Sequence, residues 1–463
     1  MRILVIAEAC NPDWTSVPLV GWSHSRALGH VADVLTVTQI RNRDSLLKAG
    51  LSEERDFVAI DSEAIARPVR KLGEMLSGGK GKGWTALTAA AAIYYYYFEH
   101  LLWKTFGGRI KNGEFDIVHR VTPLSPTVPS IIVKACHRAG VPFILGPLNG
   151  GVLWPKQFDS ARRREREWLS YVRSVHKLMP GYCDTRKFAS AILIGSGDTW
   201  NQMPARYRDK CFYIPENAID PARFEGARTH RAVRPIKVVF AGRLVPYKGA
   251  DMLIEAAAPM VRSGALTVDV IGDGPEKEKL RHLIEGLNVQ NGVRLLGWIA
   301  HDKLHESLAT GDVFGFPSIR EFGGGVVLEA MACGLVPVVV NYGGPGELVT
   351  ERTGFRVAMG SRQDIIEGFR QVLNRLATEP SQIDSLSPNA IRRAREQFTW
   401  DAKAKQVLEV YRWALDPTLP KPRFEMPTPD LNMSVAPPAP NKDGRGLGSE
   451  MLLQESDVQE SPI

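Results

Sequence analysis

The sequence predicts an α/β protein with two domains, each built around a parallel sheet. Its 463 residues are too many for one hydrophobic core. Short runs rich in β-branched residues recur in both halves, among them Arg2–Ala7, Ile236–Ala241 and Val336–Val340. Such runs are typical of parallel strands that are buried on both faces. Glycine-containing loops and helical segments follow these runs, as they do in doubly wound sheets.

The composition is that of an ordinary globular protein, with 44% hydrophobic and 24% charged residues. The five cysteines include no C-x-x-C pair, which argues against a disulfide framework or a zinc site and favours reduced thiols in the cytoplasm. The apolar stretch at the N-terminus is short and ends at Glu8, so it predicts a first strand and not a signal peptide.

The charge is divided unevenly along the chain. Residues 1–235 contain 33 Lys and Arg against 22 Asp and Glu, whereas the remainder contains 25 against 29. A basic N-terminal half suggests an acidic partner, such as anionic lipid, a polyprenyl-phosphate sugar or nucleic acid. A solvated basic surface without a partner is the alternative.

The first strand, Arg2–Ala7, leads into a loop that ends at Gly21, and a helix is predicted from Trp22 to Leu28, followed by a strand over residues 31–38. Ligands of doubly wound sheets bind at the carboxyl ends of the strands. We therefore predict an acceptor and phosphate loop that includes Gly21, Trp22, Ser23 and His24. His24 is either a base near the acceptor or a polar residue at the start of the helix.

Residues 67–111 begin basic and glycine-rich and become apolar and aromatic. The uncharged run, Trp84 to Phe98, is shorter than the ~20 residues that a membrane-spanning helix needs. A basic flank beside Trp, Tyr and Phe is typical of a helix at a membrane surface, and residues 162–166 form a second basic cluster. The alternative is a buried helix preceded by a flexible loop.

Four more strands are predicted in this half, and His119 follows the first of them. They span residues 115–118, 142–145, 189–194 and 211–214. A polar, basic linker then leads to Pro235.

In the second half, Arg243 and Lys248 follow the strand Ile236–Ala241 and precede a helix. Two cations beside the free amides of a helix N-terminus can clamp a diphosphate. Further strands are predicted over 267–271, 293–296 and Val313–Phe316, and helices over 362–375 and 385–414. Residues 417–463 lack periodicity and predict a disordered tail.

The stretch from Ser318 to Gly346 contains strand, glycine loop, helix, strand and second glycine loop in succession. Glu321 precedes the glycines, and Glu329 lies within the helix that follows. Glycines allow close approach of the backbone to a ligand, and the first helix amides carry partial positive charge. The pattern therefore predicts a site for a diphosphate and for sugar hydroxyls, with Glu329 suited to a ribose diol.

These motifs resemble the E-x7-E signature of retaining glycosyltransferases of family 4: EFGGGVVLE, the AMACG helix end and NYGGPGE occur in order, and GRLVPYKG matches the family's Arg and Lys loop. The resemblance implies the GT-B fold, two Rossmann-like domains facing across a cleft. It implies an acceptor-binding domain over residues 1–215 with the last helix at 398–415, a nucleotide-sugar-binding domain over 216–397, and a tail over 416–463.

The family resemblance also implies roles for particular residues. His119, Glu321, Arg243 and Lys248 would be catalytic, with the two cations stabilising the leaving diphosphate in place of a metal. Neither a cofactor nor a metal would be required. The donor-binding residues would be Arg243, Lys248, Glu321, Phe322, Gly323, Gly324, Gly325, Val326 and Glu329.

The predicted function is transfer of a hexosyl group, with retention, from a nucleotide-sugar to an acceptor hydroxyl in exopolysaccharide, lipopolysaccharide or glycolipid assembly. The predicted acceptor is a glycan or a polyprenyl- or lipid-linked sugar, with an anionic membrane surface as a further partner and no nucleic acid. The predicted location is the cytoplasm, peripheral to the inner face of the membrane. The alternatives are a nucleotide-sugar epimerase of the same fold, and a non-catalytic nucleotide-sugar binder or membrane scaffold.

Overall fold

The structure is a computed structural model that describes residues 1–65, 67–68, 84–150, 152, 154–158, 175–224 and 231–424. Three regions of the sequence predictions lie outside these residues: the basic, glycine-rich segment 69–83, the basic cluster 162–166 and most of the predicted tail, 425–463.

Two parallel sheets organise the described residues, as the sequence predicts. The first has seven strands in the order β3-β2-β1-β4-β5-β6-β7, and the second has six in the order β10-β9-β8-β11-β12-β13. The strands of the first sheet are β1 Arg2–Ala7, β2 Asp33–Gln39, β3 Phe57–Ile60, β4 Ile117–Thr122, β5 Phe143–Leu148, β6 Ala191–Ile194 and β7 Cys211–Tyr213. Those of the second are β8 Ile236–Ala241, β9 Leu266–Ile271, β10 Val293–Gly297, β11 Val313–Phe316, β12 Val336–Val340 and β13 Phe355–Val357.

Helices connect the strands and cover both sheets. In chain order they are α1 Val17–Leu28, α2 Arg43–Lys48, α3 Trp84–Lys111, α4 Val133–Arg138, α5 Tyr182–Phe188, α6 Gly197–Gln202, α7 Ala250–Arg262, α8 Lys277–Gly286, α9 Leu304–Ala309, α10 Gly325–Ala332, α11 Gly343–Leu348, α12 Arg362–Thr378, α13 Ser381–Gln397 and α14 Trp400–Leu415. The sheets need this cover because their central strands are apolar on both faces; β12, for example, is buried at all five positions.

The last helix returns to the first sheet. Val407 and Tyr411 of α14 are fully buried in the same core cluster as Ile3 and Val5 of β1. At the start of α14 the buried Lys403 ammonium donates to the backbone carbonyls of Pro215 and Asn217, in the segment that joins the two sheets. The C-terminal helix therefore fixes the crossing segment to the first sheet.

Helix α3 is buried along one stripe at its C-terminal part. Phe98, Leu102, Phe106 and Ile110 recur every four residues and are fully buried against the first sheet. For this part of the helix the buried-helix alternative is correct, and contact of the preceding residues with a membrane surface stays a prediction. Among the described residues, none of the helices combines the length and apolar character needed to cross a bilayer.

Several predicted boundaries were wrong. Helix α1 begins at Val17, five residues before the predicted start, because Pro18 suits the first turn of a helix. The strand predicted over 115–118 runs from Ile117 to Thr122. The helix predicted over 385–414 begins at Ser381 and is broken at Phe398, so that α13 is separate from α14, the last helix predicted at 398–415. Strands β3 and β13 were missed because their sequences, Phe-Val-Ala-Ile and Phe-Arg-Val, contain no run of β-branched residues.

Candidate functional site

The candidate site lies at the carboxyl ends of the neighbouring strands β8 and β11. The loop after β8 carries Lys248, and the loop after β11 carries Glu321. The two side chains form an ion pair between Lys248 Nζ and Glu321 Oε2. The sequence predicted both residues for the site, and the structure adds that they are direct partners although 73 residues separate them.

Lys248 lies in a sheltered environment, with 16% of its side chain exposed. Its Nζ is 5.1 Å from the centre of the Phe316 ring, a distance typical of a cation–π contact. Burial lowers the pKa of Lys248 from 10.5 to about 8. Most of the Lys248 population is therefore still charged at pH 7, in a place where the charge is poorly screened by water.

The glycines after Glu321 shape the entrance to helix α10. Gly324 precedes the helix with a φ of +63°, a conformation that few other residues adopt readily. A Cβ at Gly323 would overlap the side chains of Glu216 and Asn217, which belong to the segment between the sheets. Phe322, Gly325 and Val326 are only partly buried, which leaves the predicted donor surface accessible.

Glu329 takes part in a contact that the sequence did not predict. Its Oε1 lies 2.8 Å from His301 Nε2, and Arg223 Nη2 lies 3.1 Å from His301 Nδ1. Because a guanidinium only donates, Nδ1 accepts and Nε2 donates to the Glu329 carboxylate. These two contacts fix the orientation of the Glu329 carboxylate. Neither His301 nor Arg223 belongs to a recognisable motif, so sequence reasoning had no signal for them.

Arg243 lies on the same loop as Lys248, and its side chain is exposed. The structure therefore places the second predicted cation at the rim of the loop, whereas Lys248 lies deeper, beside Glu321. The two cations cannot be treated as equivalent, since an exposed charge is screened and a buried one is not.

The predicted acceptor and phosphate loop needs correction. Gly21, Trp22, Ser23 and His24 lie inside α1 and not in a loop before it. A Cβ at Gly21 would overlap the carbonyl oxygen of Ala9, so this glycine permits close packing of the helix on the first loop. The free amides of α1 lie one turn earlier than we predicted, near Val17.

His24 is buried, and its ring meets the rings of His119 and Trp400 at 5.8 and 6.2 Å between centres. Burial, followed by the neighbouring His119 and Lys403, lowers the pKa of His24 well below its usual value. His24 is thus an interior residue and not a polar residue at the start of the helix. A role as base toward an acceptor stays a prediction.

His119 lies within β4 and not at its carboxyl end, which corrects the predicted position. It is fully buried; Nε2 lies 2.6 Å from the Gly146 carbonyl oxygen and Nδ1 lies 2.5 Å from the Tyr411 hydroxyl. Because a carbonyl only accepts, Nε2 carries the proton and Nδ1 accepts from Tyr411. Burial lowers the pKa of His119 to about 4, so the ring is neutral at pH 7. The predicted catalytic role of His119 is untested, and these contacts favour a structural role.

We expect Tyr411→Phe to lower the free energy of unfolding by about 1–2 kcal/mol, because it leaves His119 Nδ1 buried without a donor. Chemical denaturation measures this effect. Tyr96→Phe is the matched control, since Tyr96 donates to the Pro180 carbonyl oxygen at an exposed position and its loss should matter less. Equal losses in the two variants would contradict the stabilising role of the buried His119–Tyr411 hydrogen bond.

A second carboxylate, Glu347, joins the two sheets at the same edge. It lies in α11, and its two oxygens accept from the Gly197 amide and the Tyr213 hydroxyl, each at 2.8 Å. Burial raises the pKa of Glu347 to about 7, although both hydrogen bonds oppose the shift. In the sequence, Glu347 stands out only as the end of NYGGPGE, since local pattern says nothing about a partner 150 residues away.

We expect this carboxyl to make stability depend on pH. Its pKa is 4.5 when unperturbed and about 7 in the folded chain, so the unfolded chain loses the proton first as the pH rises. The stability that Glu347 contributes is therefore fully present below pH 4.5 and is lost as the pH rises through about 7. Glu347→Gln removes this pH-dependent contribution. Between pH 4.5 and 7.5, the free energy of unfolding of the wild type should therefore fall by about 1–3 kcal/mol relative to that of the variant. Denaturation at a series of pH values measures both; parallel curves would refute the assignment.

Comparison with known proteins agrees with this architecture. A family model described as "Glycosyl transferases group 1" matches residues 225–390, which include β8 to β13. A phosphatidylinositol N-acetylglucosaminyltransferase subunit from Arabidopsis thaliana is 30% identical over 208 residues, 44% of each chain. The D-inositol 3-phosphate glycosyltransferase of Rhodococcus opacus is 33% identical over 190 residues, 39% of this chain and 42% of that protein. The matched region thus spans less than half the length of these relatives.

Solved structures match over nearly the whole chain. Anabaena Alr3699/HepE, in complex with UDP and glucose, has a TM-score of 0.55 and 19% identity and covers 89% of this chain and 99% of that one. The lipopolysaccharide outer core galactosyltransferase WaaB has a TM-score of 0.58 and 15% identity and covers 90% and 100%. The chain therefore has the GT-B fold, as the sequence analysis predicted, and its second half is similar to group 1 glycosyltransferases.

Proposed function

We propose that this protein is a retaining glycosyltransferase of the family 4 type that moves a hexosyl group from a nucleotide-sugar to an acceptor hydroxyl. The observation that carries the proposal is the sheltered Lys248–Glu321 pair beside the glycine entrance to α10. This arrangement provides a cation, free helix amides and a carboxylate at one place, which suits a sugar diphosphate. The UDP and glucose bound to the similar Anabaena protein, and the glycosyltransferase relatives, support it.

In this proposal the residues of the site have separate tasks. The Lys248 ammonium stabilises the charge that develops on the diphosphate as the glycosidic bond breaks. Glu321, paired with Lys248, orients the sugar hydroxyls, and Glu329, held by His301, accepts from the ribose hydroxyls. The departing phosphate takes the acceptor proton on the same face of the sugar, which gives retention without a protein nucleophile. Arg243 assists at the rim, and no metal is required.

The acceptor is proposed to be a glycan or a polyprenyl- or lipid-linked sugar in exopolysaccharide, lipopolysaccharide or glycolipid assembly. The protein would act in the cytoplasm at the inner face of the membrane, with its basic half towards anionic lipid. The basic excess of residues 1–235 supports this orientation.

Donor binding is tested first, by melting purified protein with UDP-, GDP- and ADP-sugars, since a ligand that binds only the native state raises the melting temperature. We expect a rise with one nucleotide class, and we expect Glu321→Gln to weaken the response to the sugar more than the response to the free nucleotide. NMR of the product's anomeric configuration then tests retention. The absence of any donor response would refute the proposal, and an altered free sugar without an acceptor would indicate an epimerase.

A further inference from the structure

An open cavity lies at the carboxyl ends of β1, β2 and β3, on the edge of the first sheet that also carries Gly197 and Tyr213. Its volume is about 610 Å³, and it is lined by Trp14, Ile40, Arg41, Glu63 and Arg67. Ligand sites of small molecules typically have volumes of about 300–1,000 Å³. The cavity belongs to the first domain and is separate from the Lys248–Glu321 pair, which belongs to the second.

The charged groups around this cavity are held in place and balance one another. Arg41 Nη2 donates to Glu8 Oε1 at 2.5 Å, and Glu8 is nearly fully buried directly after β1. Glu63 accepts from Gln39 at 2.6 Å, and the Arg67 guanidinium lies 3.5 Å from Glu63. Two guanidiniums thus face two carboxylates, with no net charge among the four groups. An anion therefore gains little electrostatic binding energy in this cavity. A neutral ligand with many hydroxyls, in contrast, meets both fixed donors and fixed acceptors.

Trp14 supplies the apolar part of the cavity. Its side chain is 44% exposed, in the loop between β1 and α1, where core packing does not require an indole. The face of an indole attracts the weakly positive C–H groups of a flat apolar surface, and pyranose rings present such a surface. An exposed tryptophan beside paired Arg and Glu side chains therefore combines stacking with hydroxyl recognition.

We propose that this cavity binds a neutral pyranose of the acceptor, stacked on Trp14 and hydrogen-bonded by Arg41 and Glu63. The inference rests on the proposed function and extends it, because it makes the acceptor-recognition group a sugar and not the phosphate of a lipid carrier. Arg41, whose guanidinium also hydrogen-bonds Tyr94, donates to the ring hydroxyls, and Glu63 accepts from them.

The test uses the full-length protein labelled with 5-fluorotryptophan, in which the Trp14 resonance is identified by its loss in Trp14→Phe. The probes are octyl glycosides of glucose, galactose, mannose and N-acetylglucosamine, with octyl phosphate and octanol as controls. We expect at least one glycoside to shift the Trp14 resonance, and we expect the shift to saturate as the glycoside concentration rises. Binding is then measured by calorimetry in the unlabelled protein. Trp14→Ala should weaken the affinity for that glycoside by about fivefold or more, whereas Trp14→Phe should retain most of it. Arg41→Lys should also weaken it, while Arg55→Ala, an exposed arginine paired with Asp56, should not.

Two results would overturn the inference: no glycoside shifts the Trp14 resonance, or octyl phosphate shifts it as strongly as the best glycoside does. Donor binding separates this failure from that of the proposed function. If the Trp14→Ala protein and the wild type show the same rise in melting temperature with the nucleotide-sugar, the donor site stands whatever the glycosides do. If no donor binds either protein, the proposed function fails independently of the cavity.

Discussion

Lys248→Ala is expected to lower the rate of donor turnover by about 10²–10³-fold, the usual effect of removing one preorganised group that stabilises developing charge. The effect is large because the Lys248 ammonium is sheltered from water, where its field acts on the diphosphate with little screening. The variant should also lose most of the rise in melting temperature that the nucleotide-sugar produces. Release of the free nucleotide, with and without acceptor, measures the rate.

The matched control is Lys279→Ala, which removes a lysine of α8 that is 61% exposed and paired with Glu276. It should leave both donor turnover and donor binding unchanged. The melting temperature of each variant without ligand distinguishes lost charge from lost folding, since Lys248→Ala also removes the partner of Glu321. Lys248→Ala protein that retained full turnover would refute the assignment of this site.

Gly249→Ala is expected to destabilise the second domain by about 3 kcal/mol or more, from the sum of backbone strain and a steric overlap. Gly249 has a φ of +75° and precedes α7 directly. A Cβ there would lie 2.5 Å from the Pro317 carbonyl oxygen, which belongs to the loop that carries Glu321. The two loops can separate only by moving Lys248 away from its partner. Donor binding should therefore weaken together with stability.

Gly264→Ala isolates the strain from the overlap. Gly264 has nearly the same φ, +73°, but a Cβ there would have no atom within 4 Å. This variant should lose only about 1 kcal/mol, the cost of the left-handed conformation for a residue with a side chain. Thermal or chemical denaturation gives both values. A similar loss in the two variants would mean that the contact with Pro317 does not matter.

The sequence was most informative where the relevant interactions are local. Strands β8, β11 and β12 have the predicted bounds because short, largely apolar runs specify buried strands without reference to distant residues. Lys248 and Glu321 were predicted for one site because both follow parallel strands, whose carboxyl ends share one edge of a sheet. The start of α1 was missed because Gly21 was taken as the end of the loop, although Pro18 marks the first turn of the helix.

By itself, the sequence determined the α/β class, the two parallel sheets, the glycine loops and the pair of residues at the candidate site. Only the tertiary structure decided which side chains are partners. His119 meets Tyr411 across 292 residues, Glu329 meets His301, and Glu347 meets Gly197 and Tyr213 from the other sheet. Periodicity and turn chemistry reflect only near neighbours, whereas these contacts depend on how helices and sheets pack, which also buries each group and thereby sets its pKa.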